Sequence, residues 1–491
     1  MNMTERYQID GYEPVIGLEV HAQLTTESKI FCGCRAEYGA PPNTLTCPVC
    51  LGLPGALPVL NKRAVEYAMR MILAVGGTVR LRSVFARKNY FYPDLPKGYQ
   101  ISQYDQPIGD GGELAYRLYP GERGKTVRLK RIHLEEDAGK SLHPESGEGQ
   151  TRIDLNRCGI PLLEIVTEPE IFSPQEAYGY LVRLKQVLQY LQICTADMEK
   201  GHLRCDANVS VRLAGSERLG VKTEVKNMNS FKGVERALTF EIERQVGVLK
   251  SGGTVEQMTL LWDEKHQAAE PMRTKEESHD YRYFPEPDLV NLVIDREWLE
   301  SVRRSLPELP DARARRFMQQ YEIPEYDAAV LTESRGLADY FEEVMTEFGD
   351  GKAASNWIMT EVLKAVNEEK SDITDFHIKP PMIAELLNCI QTGQISGKMA
   401  KEIFEEMLAS SKSAGEIIKA KGIVQISDDA VIGGIIVKVL SENQQNLQKY
   451  LSGKTQLFGF FVGQVMKETK GTANPGLVNK ILQEKLDELA G

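Results

Sequence analysis

VIGLEVHAQL, residues 15–24, alternates apolar and polar side chains along its length. Ile16, Leu18, Val20, Ala22 and Leu24 fall on one side; Glu19, His21 and Gln23 fall on the other. A period of two marks a strand with one face in a core, because successive side chains leave a pleated backbone in opposite directions. GHLRCDANVSVRL (201–213) repeats the pattern, setting Leu203, Cys205, Ala207, Val209 and Val211 against His202, Arg204, Asp206, Asn208 and Ser210. VRLKRIHLEE (127–136) and VKTEVKN (221–227) are further strand candidates, and DGG (110–112) and GERGK (121–125) read as turns. One helix interrupts, SPQEAYGYLVRLKQVLQYLQI (173–193), with Ser173 as N-cap and Pro174 in the first turn. Residues 1–295 therefore predict a strand-rich α+β unit.

The texture changes near residue 295. From IDREWLESVRRSLPELPDARARRFMQQY to about residue 410 the apolar positions recur at helical spacing, with Pro307, Pro310, Pro380 and Pro381 at helix starts. This predicts an all-helical domain over 296–410. SSKSAG (410–415) reads as a short linker, and residues 411–491 as a small helical tail domain.

Charge and hydropathy narrow the class. Charged residues make up 26% of the chain and no apolar run reaches the ~18 residues of a membrane helix, so a cytoplasmic protein without membrane contact is expected. The net charge of −11 argues against coating nucleic acid by bulk charge. The tail carries ten Lys against eight Asp and Glu, which makes it the end less repulsive to a polyanion.

The polar faces of the strands are unusually acidic. Glu19 stands with His21, Glu135 and Glu136 follow Arg131 and His133, Glu164 and Glu168 lie within LLEIVTEPE (162–170), and Asp206 stands with Asn208. Carboxylates that converge repel one another unless a cation lies between them, and several such strands on one sheet point to Mg²⁺ and nucleotide phosphate. The alternative is a solvated face paired with nearby Arg and Lys. GERGKT (121–126) is not a phosphate loop, because Tyr119 stands where its first glycine belongs. Lys97, Arg204 and Lys226 are the candidate phosphate contacts, and Tyr99 and Ser102, close to Lys97, join them as nucleotide contacts. With no G-x-S-x-G element, the pattern favours phosphoryl transfer over hydrolysis.

Cys32, Cys34, Cys47 and Cys50 form C-x-C and C-x-x-C pairs twelve residues apart. Two thiolate pairs on tight turns can close a tetrahedral site, which predicts a structural Zn²⁺, with an iron–sulfur cluster as the alternative. Cys158, Cys194, Cys205 and Cys389 read as reduced, buried side chains.

These residues resemble one family, the B subunits of the aspartyl/glutamyl-tRNA(Asn/Gln) amidotransferases. IGLEVHAQL (16–24), NYFYPDLPKGYQISQYD (89–105), IHLEEDAGK (132–140), DLNRCGIPLLEIVTEPE (154–170), RCDANVSV (204–211), EVKNMNSF (224–231) and HDYRYFPEPDL (279–289) carry the resemblance. ISGKMAKEIFEEM (395–407) and TKGTANPGLV (469–478) extend it to the C-terminus. TLLWDE (259–264) departs from the family pattern, which more often has Thr-Arg-Gly there.

The resemblance implies a glutamine synthetase/guanido kinase-like catalytic domain with an antiparallel sheet. It implies ATP-dependent phosphorylation of Glu or Asp misattached to tRNA(Gln) or tRNA(Asn), then amidation by ammonia. The ammonia would come from a partner amidase (glutaminase) subunit, with a small third subunit holding the pair together. Carried onto this sequence, the resemblance implies Mg²⁺ binding by Glu19, His21, Glu135, Glu136 and Asp206, and catalysis by Glu135, Glu136, Arg204 and Lys97. Lys467, Lys470, Gly471, Thr472 and Asn474 of the tail are candidate tRNA contacts, and Trp357 reads as core rather than a base-stacking platform. Two other readings compete: a stand-alone ATP-dependent carboxylate–amine ligase and a zinc-stapled RNA-binding adaptor. Neither needs the whole set of motifs.

Overall fold

A computed structural model describes residues 7–118, 124–142, 150–272, 281–422, 429–469, 473 and 475–490. Most of the turn expected at 121–125 lies outside these residues, as do Lys470, Gly471, Thr472 and Asn474. The chain divides into two compact units, Met1–Pro310 and Asp311–Gly491.

The first unit is built on a ten-stranded sheet. Its principal strands are β1 (Tyr12–Gln23), β2 (Lys125–Glu136), β3 (Pro161–Thr167), β4 (Leu203–Leu213), β5 (Thr223–Lys226), β6 (Thr259–Asp263) and β7 (Ala268–Pro271). They lie side by side in the order β7-β6-β5-β4-β1-β3-β2, followed by short edge strands. All neighbours in this series run antiparallel except β5 and β6. The sheet is therefore mixed, which corrects the expectation of an antiparallel one. The reason is local: a long helix, Phe231–Lys250, connects Lys226 to Thr259, and such a crossover returns the chain in the same direction.

The alternation read from the sequence sorts the sheet into two faces. Ile16, Leu18, Val20, Ala22, Ile132, Leu134, Leu163, Ile165, Cys205, Ala207 and Val209 are all buried in one core. Helices α1 (Lys62–Ala74), α2 (Pro174–Tyr190) and α3 (Phe231–Lys250) contribute to the same core. Each starts on a capped turn: Asn61 accepts from the Arg63 amide, Ser173 from Glu176 and Ser230 from Gly233. Only α2 is expected from the sequence reading. Val, Thr, Ile and Phe in α3 favour strand locally, and burial of Val234, Ala237, Leu238 and Ile242 along one helical stripe overrides that preference.

Beyond the sheet, α4 (Arg296–Arg304) packs with α1 in the first unit. The second unit is helical and holds two apolar clusters. One runs from Phe317 to Ile418 and the other from Ile432 to Leu486. The helix Ala414–Lys421 belongs to the former through Ala414, Ile417 and Ile418. Trp357 packs edge-on against Phe404 at the margin of that cluster. No helix among the described residues is long and apolar enough to cross a membrane.

Candidate active site on the polar face of the sheet

Strand register brings the polar face together. His21 stands opposite Arg204 on β4 and Glu164 on β3, and Glu164 stands opposite His133 on β2. One rung away, Glu19 stands opposite Asp206. Directly opposed side chains on one sheet face lie within contact distance. His21 Nε2 accordingly lies 3.6 Å from Glu19 Oε1, 3.5 Å from Glu135 Oε1 and 3.5 Å from Glu164 Oε2. His133 Nε2 lies 3.1 Å from Glu164 Oε2 and 4.0 Å from Glu135 Oε2. Arg131 Nη2 is 3.5 Å from Glu164 Oε1.

The electrostatics follow from this crowding. Burial alone would lower the His21 pKa, but the hydrogen bond with Glu164 and the charges of Glu135, Glu164 and Glu19 outweigh it and raise the value to about 9. Burial also works against an ionised Glu164, yet His133 and His21 hold its carboxyl well below the usual range. Glu19 is raised, first by burial and then by the charge of Glu164. Ligand atoms of Glu19, His21 and Glu164 lie within 4.8 Å of one another, as do those of His133, Glu135 and Glu164. Carboxylate oxygens converging beside imidazoles are a donor set suited to a hard divalent cation.

The other expected residues ring this centre. Lys226 Nζ donates to Asp206 Oδ2 at 2.6 Å and lies 3.1 Å from Glu224. Arg204 Nη2 is held by Asp137 Oδ1 at 2.9 Å. Ser102 Oγ donates to Glu135 Oε2 at 3.3 Å. Glu136 does not join the cluster. As the next residue along β2 it points away from Glu135, toward Lys97 Nζ and the Ile101 amide, 2.8 Å away. Lys97 and Glu136, with Tyr99 and Ile101, line a cavity of about 170 Å³ shared with Cys50, Gly52 and Gly159.

Lys88 escapes the sequence reading. Burial would lower its pKa, but Glu135, Tyr283 and Glu164 raise it, so a half-buried cation faces the acids. It precedes the NYFYPDLPKGYQ motif by one residue, and no spacing in the sequence signals it.

The four cysteines also come together. Cys32, Cys34, Cys47 and Cys50 lie with their sulfur atoms within 4.8 Å of one another, a group able to hold a metal ion. The Cys47 amide donates to Cys50 Sγ at 3.1 Å, and the fully buried Lys29 places its ammonium 3.8 Å from the same sulfur while donating to the Leu45 carbonyl at 2.7 Å. The Cys50 thiol is lowered to about 5, chiefly by the hydrogen bond from Cys32, with the Cys47 amide and Lys29 adding to it against burial. Gly159, at φ +78°, lets the backbone pass close to Cys50 and Lys29, where an added Cβ would lie 3.6 Å from each.

Comparison with known proteins gives the family. Residues 14–300 match the model of the GatB/GatE catalytic domain, and residues 339–486 match that of the GatB domain. The chain is 52% identical over 477 residues to the aspartyl/glutamyl-tRNA(Asn/Gln) amidotransferase B subunit of Thermodesulfovibrio yellowstonii, covering 97% of this chain and 100% of the relative. It is 53% identical over 476 residues to the protein of the same name from Moorella thermoacetica, with 97% and 100% covered. The one from Prosthecochloris aestuarii is 53% identical over 478 residues, with 97% and 98% covered. With relatives matched along almost their full length, the chain belongs to the family of aspartyl/glutamyl-tRNA(Asn/Gln) amidotransferase B subunits.

Proposed function

We propose that this chain activates the side-chain carboxylate of Glu-tRNA(Gln), Asp-tRNA(Asn) or both, as the ATP-using part of a glutamine-dependent carbon–nitrogen ligase. The observation that carries this reading is the convergence of Glu19, Glu135 and Glu164 around His21 and His133 on adjoining strands. A carboxylate is a poor acceptor for ammonia because oxide would have to leave. Attack of its oxygen on the γ-phosphorus of ATP releases ADP and makes an acyl phosphate. Ammonia then attacks the acyl carbon, and phosphate departs with the former carboxylate oxygen.

The chain's own cations fit the phosphate charge: Lys88 and Arg204 feel the charge of Glu135, and Lys226 pairs with Asp206. Lys97, Tyr99 and Ser102 are assigned to the nucleotide. Mg²⁺ would be held by Glu19, His21, Glu135 and Glu164, with Asp206 beside them and Glu136, turned toward Lys97, outside the set, and would neutralise charge on the transferred phosphoryl group. The unit carrying this face is assigned the glutamine synthetase/guanido kinase-like fold that the family resemblance implies, which its acid-lined strands fit.

The cysteine cluster is assigned a structural Zn²⁺. Zn–S bonds of about 2.3 Å in a tetrahedron put sulfur atoms about 3.8 Å apart. Cys47 and Cys50 are 3.8 Å apart. Ammonia comes from a partner amidase (glutaminase), a small third protein joins the two, the tail 411–491 grips tRNA, and the complex works in the cytoplasm.

The test is amidation of Glu-tRNA(Gln) by the reconstituted complex with free ammonium, which bypasses the glutaminase. Loss of amidation in Glu135→Gln with tRNA binding intact would support phosphoryl transfer on this chain. Full activity in that variant would refute the site.

A further inference from the structure

A run of aromatic rings borders the acidic face. Ring centroids of Tyr92 and Tyr90 are 6.0 Å apart, those of Tyr90 and Tyr281 6.2 Å, and those of Tyr281 and Tyr283 6.0 Å. Tyr283 stacks on Tyr104 at 4.2 Å with the planes 8° from parallel. Lys88 Nζ sits 4.9 Å from the Tyr281 ring centre. The inner end is tied to the site, since Tyr104 follows by two residues Ser102, whose hydroxyl donates to Glu135. Both ends meet solvent: Tyr104 is 56% exposed, Tyr92 47%, and the neighbouring Phe91 88%.

Single exposed tyrosines are ordinary, but a connected row of five that reaches solvent at both ends beside a cation has the composition of a surface on which bases stack. We propose that this belt is the stacking platform for the unpaired nucleotides at the 3′ end of the aminoacylated RNA, delivering its ester-linked side chain to Glu135 and Glu164. The proposal rests on the functional reading above. It commits to RNA over the adenine of ATP because five linked rings exceed what one base can cover, whereas a single strand threads successive bases along such a row.

The experiment uses the reconstituted complex with ammonium as nitrogen donor and compares Tyr104→Ala, Tyr104→Phe and Phe91→Ala with wild type. One lost stack is worth about tenfold. The KM for Glu-tRNA(Gln) should rise about tenfold in each alanine variant, with kcat within about twofold and the KM for ATP unchanged, and Tyr104→Phe should restore it. In a binding arm, wild type should hold intact tRNA more tightly than tRNA lacking its last three nucleotides, and Tyr104→Ala should narrow that difference about tenfold. Unchanged KM for the tRNA, a raised KM for ATP, or a defect that persists with shortened tRNA would overturn the platform. Failure of the alanine variants to assemble with the partner proteins would overturn it in favour of a protein-docking surface. If wild type failed to amidate yet still distinguished the two tRNA lengths, the functional reading would fall and the belt would stand.

Discussion

Glu164 Oε2 lies 3.1 Å from His133 Nε2 on the adjoining strand, and the two residues are directly opposed in register. The same oxygen faces His21 at 3.5 Å from the other side. Glu164 is therefore the hinge of the polar face, shared by both groups of candidate metal donors.

Removing that charge should disable the site without unfolding the sheet. Glu164→Gln keeps the shape and one carbonyl oxygen but no longer balances two histidines. ATP-dependent amidation should drop by roughly 10–100-fold, the scale seen when a supporting metal-site group is lost. Activity within threefold of wild type, with normal tRNA binding, would show that Glu164 is not needed.

Stability should depend on the opposite face. Leu134 on β2 is fully buried and stands opposite Leu163 on β3. Leu134→Ala should lower unfolding free energy by about 2–5 kcal/mol, since it removes apolar contact and leaves a cavity. Urea denaturation followed by tryptophan fluorescence checks this, and a midpoint unchanged from wild type would contradict it.

The cysteine cluster should carry one zinc per chain, and Cys47→Ser should abolish it. A structural metal binds the folded state alone, so its loss should also lower the melting temperature. Elemental analysis of purified wild type and variant measures the first effect and calorimetry the second. A wild-type chain that holds iron, or no metal at all, would refute the assignment.

The tail should be separable. Its apolar cluster, Ile432 to Leu486, shares no residue with that of Phe317 to Ile418. A chain ending at Gly422 should keep the folded first unit and lose tRNA affinity, read as a raised KM for aminoacyl-tRNA at similar kcat. An unchanged KM would remove the tail from tRNA binding.

Much of this arrangement was legible in the residues. Period-two alternation in 15–24 and 201–213 located two central strands, because one face of each had to be apolar. The same rule put Glu19, His21 and Asp206 on the other face. The C-x-C and C-x-x-C spacing marked a cluster whose sulfur atoms do converge. Pairing between distant strands was not legible, since no local pattern states which strand lies beside which. That is why Glu164 entered as one acid among several and Lys88 was not foreseen. The parallel pair Thr223–Lys226 and Thr259–Asp263 was hidden for the same reason: it depends on a helix whose β-branched residues do not announce it.

The central claim is that the side-chain carboxylate is phosphorylated before it is amidated. The measurement is the fate of ¹⁸O placed in the side-chain carboxylate of Glu-tRNA(Gln), turned over by the reconstituted complex with ATP and ammonium. Transfer of one labelled oxygen to inorganic phosphate for each amide formed is the predicted result. Inorganic phosphate free of label, with the amide formed at the normal rate, would contradict it.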